Sequence, residues 1–352
     1  MHLSQVPTDR VDWDALDRFP DRVVFQTRGW VSFLAESQNA TPIVAALHDS
    51  GQIVGYFTGL LFSRMGVRIL GSPLPGWTTP FMGFNLLPDV SYGEALQALE
   101  GFAFRHLRCF HLEISDLRFS PQHGERAGYS YDFAETFTTD LTRSEDEILK
   151  SMQHSCRSNI RKAERSGVWV EEANDDAFSE EYYEQLKEVF LRQELVPSYG
   201  AERVQQLLKH LLSSGSLLLL RARDRHNVCI ATSIYVGLNK VAFYWGNASR
   251  RDKVHLCPNQ LMNWYALTYW KRRGIEVFDW GGAGGYGRYK TRYGGRPFSY
   301  PQFRKSRFAF GTLRTAAMKA VQLRQQLLGR FHVSGNNAEA FSSDNLRLQP
   351  FG

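Results

Sequence analysis

The chain has 352 residues, 43% of them hydrophobic and 22% charged, a composition that excludes a disordered chain and suits a globular body large enough for two domains or two fused halves. A formal net charge of +6 and a pI near 9.1 favour an anionic partner, whether a phosphorylated cofactor, a nucleic acid or a membrane surface, without choosing among them. Four cysteines (Cys109, Cys156, Cys229, Cys257) show no C-x-x-C spacing and read as idle thiols of a reducing cytosol. The first residues lack a basic segment followed by an apolar run, and the leucine patch at 217–220 is too short to span a bilayer, so a cytoplasmic protein is expected.

The first half opens with F-Q-T-R-G-W at 25–30. Residues 42–48 and 53–62 alternate as strands around an Asp49-Ser50-Gly51 turn, and a third strand, 67–70, stops at Gly71. An aromatic, proline-stiffened loop (G-S-P-L-P-G-W, 71–77) follows. It either packs or lines a cleft between the halves, with Trp77 as its binding residue. A helix is expected over 92–107 and a strand over 109–114.

The second half begins with a helix over 150–167, closed by Gly167. Arg157, Arg161 and Arg165 recur every four residues on it, beside Asn159 and Lys162. This basic stripe is either a phosphate-binding face, for a lipid-linked or nucleotide-linked substrate or tRNA, or a solvated surface. Strands are expected at 217–223, 228–236 and 240–245, the last ending at Gly246. Pro258 opens a helix that Gly274 stops. Its free N–H groups, with Arg251 and Lys253 just before it and Asn259 in its first turn, favour a phosphate of a cofactor.

A strand at 275–280 then runs into W-G-G-A-G-G-Y-G-R-Y-K-T-R-Y-G-G-R. Glycines there let backbone approach a ligand, and Tyr286, Arg288, Tyr289, Lys290, Arg292 and Tyr293 crowd into eight residues, as a site for an anionic or polar group would. Gly282, Gly284 and Gly287 match G-x-G-x-x-G. That fingerprint needs a helix at the third glycine, whereas 288–301 reads as irregular or extended, so a dinucleotide fold is rejected. The P-loop fails too, its lysine falling two residues late. Asp279, at a strand end, either caps the loop's own amides or orients an attacking amine. Tyr244 and Trp245 point to opposite faces of their strand. No metal motif, zinc spacing or G-x-S-x-G elbow occurs. Residues 312–330 read as a basic helix that docks on the body or lies on anionic lipid, and residues from 334 onward as a flexible tail.

Both halves therefore run strand, strand, strand, helix, strand. That repeat resembles the core of a GNAT-type acyltransferase, and two in tandem resemble the Fem-type transferases. The resemblance is strongest over 149–296, where L-K-S-M-Q-H-S-C-R-S-N-I-R-K-A-E-R-S-G-V, Y-W-G-N-A-S, F-D-W-G-G and Y-K-T-R-Y-G-G are similar to FemAB-like and CelD-like bacterial proteins. It implies an α+β fold of two tandem GNAT-like mixed sheets flanked by helices, divided as 1–148, 149–305, a basic helix at 306–333 and a tail at 334–352. It implies that Trp245, Gly246 and Asn247 line an acyl site, and that Tyr289-Lys290 sits at the family's Tyr-Lys position, where the Lys290 cation stabilises an oxyanion. Arg157, Asn159, Arg161, Tyr286, Arg292 and Trp77 are the expected substrate contacts.

The glycines of the CoA-binding Arg/Gln-x-x-Gly-x-Gly/Ala segment are missing before Pro258, a departure shared by relatives that use aminoacyl-tRNA. The donor is thus expected to be acyl-CoA or aminoacyl-tRNA, with no tightly bound cofactor. The expected acceptor is an amine, such as one on a cell-envelope, peptidoglycan or polysaccharide precursor, which is lipid- or nucleotide-linked and met in the cytoplasm or at the inner face of the membrane, and DNA is not an expected partner. The alternative is a non-catalytic RNA- or membrane-binding module that retains the fold.

Overall fold

A computed structural model of the protein describes residues 1–17, 19–64, 66–191, 195–282 and 287–307. Tyr286 and the expected C-terminal helix and tail lie outside the described residues. The first half runs β1 (His2–Val6), α1 (Trp13–Asp17), α2 (Arg28–Gln38), β2 (Thr41–Asp49), β3 (Gln52–Arg64), β4 (Val67–Ser72), β5 (Phe84–Leu86), α3 (Tyr92–Gly101), β6 (His111–Ser115), α4 (Pro121–Arg126) and β7 (Ser130–Asp140). The second runs α5 (Glu145–Ser151), α6 (His154–Arg165), β8 (Trp169–Ala173), α7 (Ala177–Leu191), α8 (Ala201–Leu211), β9 (Leu217–Arg223), β10 (Cys229–Leu238), β11 (Val241–Ser249), α9 (Pro258–Arg272), β12 (Val277–Gly282), α10 (Gly287–Thr291) and β13 (Arg296–Ser306).

Both expected cores are present, and they share one continuous sheet ordered β1-β2-β3-β4-β6-β13-β7-β12-β11-β10-β9-β8, with β5 beside β3. The sheet is mixed. β4–β6 and β11–β12 are parallel, each pair bridged by a crossover containing a helix, and the other pairs are antiparallel. The halves exchange strands at the seam. β7, from the first half, pairs with β12, and β13, from the second, pairs with β6 and β7. Turn chemistry sets the hairpins: Ser50 and Gly51 both take positive φ at the β2–β3 turn, which suits the twist of the flanking strands. The Asp224 carboxylate accepts from the backbone N–H groups of His226 and Val228 at the β9–β10 turn.

Two expectations need correcting. The helix over 150–167 is broken: Met152 is extended, so α5 ends at Ser151 and α6 begins at His154. Ser144 and Glu147 form a capping box that gives α5 its own start, which explains a separate short helix. The segment after Gly287, expected to be irregular, opens with the five-residue α10 before β13. The dinucleotide fold is still excluded, because β13 runs antiparallel to its neighbours where that fold needs a parallel strand. The helix expected over 92–107 is α3 continued by a π-helical turn at Phe102–His106.

One apolar cluster fuses the halves. The Phe25 ring meets Trp30, Phe81 and Phe243 edge-on at 4.8, 5.2 and 5.3 Å. Such pairs add about 0.5–1.5 kcal/mol each beyond burial. Tyr182, Trp245 and Tyr300 extend the cluster across the seam. A second cluster, on the other face of the sheet, joins α6 and α9 to β9–β12 through Ile160, Met262, Trp270 and Trp280. All four cysteines are free and buried.

Candidate active site

β11 and β12 run side by side for three residues, from Val241 opposite Val277 to Phe243 opposite Asp279, and then part. On its other edge β11 pairs with β10, with Gly246 opposite Ile234 and Tyr244 opposite Tyr235, so Trp245 is the extra residue of a β-bulge. The separation leaves a cavity of about 700 Å³ through the sheet. Tyr182, Leu186 and Phe190 of α7 line it from one face. Trp245, Gly246 and Asn247 line it from the bulge. Asn259 of α9, with Tyr289 and Lys290 of α10, lines it from the other face.

Side-chain alternation around the bulge sorts the aromatics as expected. Trp245 joins the cluster between the halves, 5.8 Å from the Tyr199 ring, and Tyr244 packs at 6.0 Å from Trp280 on the opposite face. Trp245 Nε1 is buried without a hydrogen-bond partner in the described structure. Gly246 is set by its neighbour: a Cβ there would lie 2.3 Å from Tyr182 Oη, so only glycine admits the phenol.

Lys290 Nζ donates to the carbonyl of Gly281 at 2.8 Å and also to that of Gly282. An ammonium has three donors, so among the described residues one remains without a partner. Burial pushes the Lys290 pKa down to about 8, against the opposing charge of Asp279. Asp279 is only 1% exposed. Its Oδ1 accepts from Gly281 N at 2.7 Å and from the hydroxyl of Thr136 on the exchanged strand β7, so the carboxylate caps the loop's own amide. Burial raises the Asp279 pKa to about 6, with the Thr136 and Gly281 hydrogen bonds and Lys290 opposing. Tyr289 donates to or accepts from Tyr293 at 2.6 Å between hydroxyls, and burial raises its pKa to about 12.

The α9 end of the cavity is polar. Asn247 Nδ2 donates to Ser233 Oγ at 2.8 Å and to Asn259 Oδ1 at 3.1 Å. Pro258 occupies the first position of α9, and no described side chain caps the helix, so among the described residues its opening N–H groups are left for an anion. Among the described residues no group of three or more His, Cys, Asp or Glu could hold a metal, and no helix is long and apolar enough to cross a membrane.

The cavity thus gathers Lys290, Tyr289, Trp245, Gly246, Asn247 and Asn259 from the residues singled out in the sequence, with Asp279 behind Gly281. Others stand apart. Arg157 donates to the carbonyls of Lys150 and Met152, closing α5, while Asn159 and Arg161 lie on the same helix outside the cavity lining. Arg292 is exposed, with its carbonyl accepting from Gln153 N at 2.9 Å. Lys253 pairs with Asp224 at 3.3 Å, and the Arg251 amide donates to Glu188. Trp77 is buried between the halves, and its carbonyl accepts from Arg203.

Sequence reasoning missed the α7 wall altogether. Its signal was present, since Phe178, Tyr182, Leu186 and Phe190 recur every four residues along one helix face. It also missed Thr136, which reaches the site only through long-range strand exchange.

Comparison with known proteins bears on the fold. Residues 150–291 match a family model described as an acetyltransferase (GNAT) domain. The fold is similar to that of FemX at a TM-score of 0.70, with 14% identity, over 86% of this chain and 97% of that one. It is also similar to a conserved protein of unknown function from Bacteroides thetaiotaomicron (TM-score 0.56, 10% identity, 86% and 99% covered). A tandem GNAT protein from the clavulanic acid biosynthesis pathway gives a TM-score of 0.50 at 10% identity, with 87% and 98% covered. No curated protein matches the sequence significantly.

Proposed function

We propose that this chain, a tandem GNAT-fold protein of Fem type, is an N-acyltransferase that moves an acyl or aminoacyl group onto an amine. The observation that carries this reading is the Lys290 ammonium, fixed by two carbonyls at the wall of the cavity where β11 and β12 part. The amine nitrogen attacks the acyl carbon of a CoA thioester or a tRNA ester, a C–N bond forms, and charge gathers on the carbonyl oxygen. The free Lys290 N–H and the unpaired backbone at the Trp245 bulge stabilise that oxyanion. Collapse breaks the C–S or C–O bond, and the proton shed by the amine leaves with the departing group or to solvent. No covalent enzyme intermediate is needed, because the cavity's role is to align two substrates.

The free N-terminus of α9 seats the donor's phosphate, with Asn259 beside it. The basic α6 face with Arg157, Asn159 and Arg161, together with Arg292, Arg251 and Lys253, serves longer-range attraction of an anionic substrate. The acceptor is an amine on a cell-envelope or polysaccharide precursor, met in the cytoplasm or at the inner face of the membrane. The halves divide near residue 148, each lending the other one strand. Lys290→Ala tests the reading: turnover with a cognate donor and amine should collapse, and turnover equal to wild type would sink the assigned role. Salt separates the donors, because tRNA affinity falls steeply with ionic strength and CoA affinity far less.

A further inference from the structure

We infer that the cavity takes an uncharged, hydrocarbon-bearing acyl group delivered as a CoA thioester, and that α7 is the element that selects it. This rests on the gap between β11 and β12 being the acyl-transfer site. Lys290 is the one charged side chain among the described residues lining the cavity, and no described carboxylate lines it. Asp279, whose charge acts on Lys290, does not line the cavity and is only 1% exposed; its Oδ1 is engaged by Gly281 N and Thr136, and its Oδ2 is buried without a partner among the described residues.

An aminoacyl donor carries an ammonium next to the reacting carbonyl. In this cavity that ammonium would stand near Lys290 with no carboxylate among the described lining residues to meet it, and two like charges in a low-dielectric site repel strongly. The α7 wall offers the opposite environment. Leu186, Val189 and Phe190 present apolar surface, and the Tyr182 and Tyr199 hydroxyls are paired with each other at 3.2 Å, so their ring faces are what remains for a ligand. Trp245 and Tyr199 close the same side, 5.8 Å apart. Such a wall gains affinity from each methylene it removes from water and gives nothing to a charge.

The test uses the full chain and calorimetric titration with CoA, acetyl-CoA, butyryl-CoA, octanoyl-CoA and β-alanyl-CoA. The last is nearly isosteric with butyryl-CoA but ends in an ammonium. Affinity should rise from acetyl- to octanoyl-CoA by about tenfold or more, given roughly threefold to fourfold per buried methylene at best. Butyryl-CoA should bind about tenfold or more tighter than β-alanyl-CoA. Val189 is half-buried, and Val189→Trp, with its fold checked by circular dichroism and melting temperature, should erase the chain-length gain. A second variant, Val189→Asp, should reverse the preference between butyryl and β-alanyl donors. If every thioester binds as tightly as free CoA, or β-alanyl-CoA binds as well as butyryl-CoA, the inference is overturned while the transfer site stands. If no thioester binds and alanyl-tRNA does, the inference falls and the tRNA form of the transferase reading survives. If neither donor binds, both fall together.

Discussion

In the first half, β4 and β6 pair in parallel from Ile69 opposite His111 to Ser72 opposite Ile114, and the space beyond them is filled. Leu74 folds back against Gly71, where a Cβ would meet its side chain at 2.3 Å, and Trp77, Phe81 and Met82 of the following loop are buried. A cavity of only about 90 Å³ remains there. In the second half the equivalent pair, β11 and β12, parts after Phe243 and Asp279 and leaves about 700 Å³. The same order of elements builds both frames. What differs is the chain that follows the parallel pair: a packed loop in one, and in the other a bulge, a glycine against Tyr182 and a lysine on a short helix. The two halves differ in what each leaves unfilled, and that is where the proposed site lies.

The comparison can be broken most severely at Lys290. Lys290→Ala should cut kcat by about 100- to 1,000-fold, the usual cost of removing one oxyanion donor, with KM changing far less. Steady-state kinetics would show it, and a loss confined to KM would move Lys290 from chemistry to binding.

The filled half should respond in stability. Phe81 is 2% exposed against Phe25 and Tyr300, so Phe81→Ala should cost about 3–5 kcal/mol in denaturant unfolding while leaving the order of donor preference intact. A changed donor preference in the folded variant would mean that this loop takes part in the site.

Closing the open half is a smaller perturbation. Gly246→Ala puts a methyl 2.3 Å from Tyr182 Oη and should cost about 1–3 kcal/mol of stability, with weaker donor binding. Adding Tyr182→Phe, which removes that hydroxyl, should recover most of the loss, and a double mutant no better than the single would contradict the assigned contact.

The mildest test is pH. Burial lowers the Lys290 pKa to about 8, so its cationic form is held below that value and lost above it. The account predicts kcat/KM falling about tenfold per pH unit above this point, once the acceptor amine is itself deprotonated. Lys290→Arg should move that descending limb upward, since arginine keeps its charge. A limb that rises with pH through 8 would instead make neutral Lys290 a base. Asp279 bears on stability with a defined sign. Its folded pKa, raised to about 6, means that its contribution is greatest below about 4 and is lost as pH climbs through 6.

Much of this was legible in the sequence where the signals are local. The two strand trios, the Pro258 helix and the Tyr289-Lys290 pair were readable because hairpin turns, a proline at a helix start and adjacent residues are short-range features. Asp279 was readable as a cap for the same reason, its partner amide being two residues away. The strand exchange was not, because the pairing of Thr136 with Gly282 joins residues far apart in the chain and leaves no local pattern. The α7 wall was hidden for a different reason. Tyr182 and Leu186 look like ordinary core positions until the partner they face, the Trp245 bulge, is in place. The break at Met152 was missed because the helical spacing of Arg157, Arg161 and Arg165, all of them in α6, was extended back to Lys150 in α5.

The central claim is that the gap between β11 and β12, and not its filled counterpart between β4 and β6, holds the acyl donor. A crystal structure with a non-hydrolysable thioether analogue of octanoyl-CoA tests it most directly. The account predicts the pyrophosphate at the start of α9, the carbonyl between Lys290 and the Trp245–Asn247 backbone, and the chain against Val189 and Phe190. An analogue seated beside Pro73 and Ser115, or anywhere outside the β11–β12 gap, would contradict it.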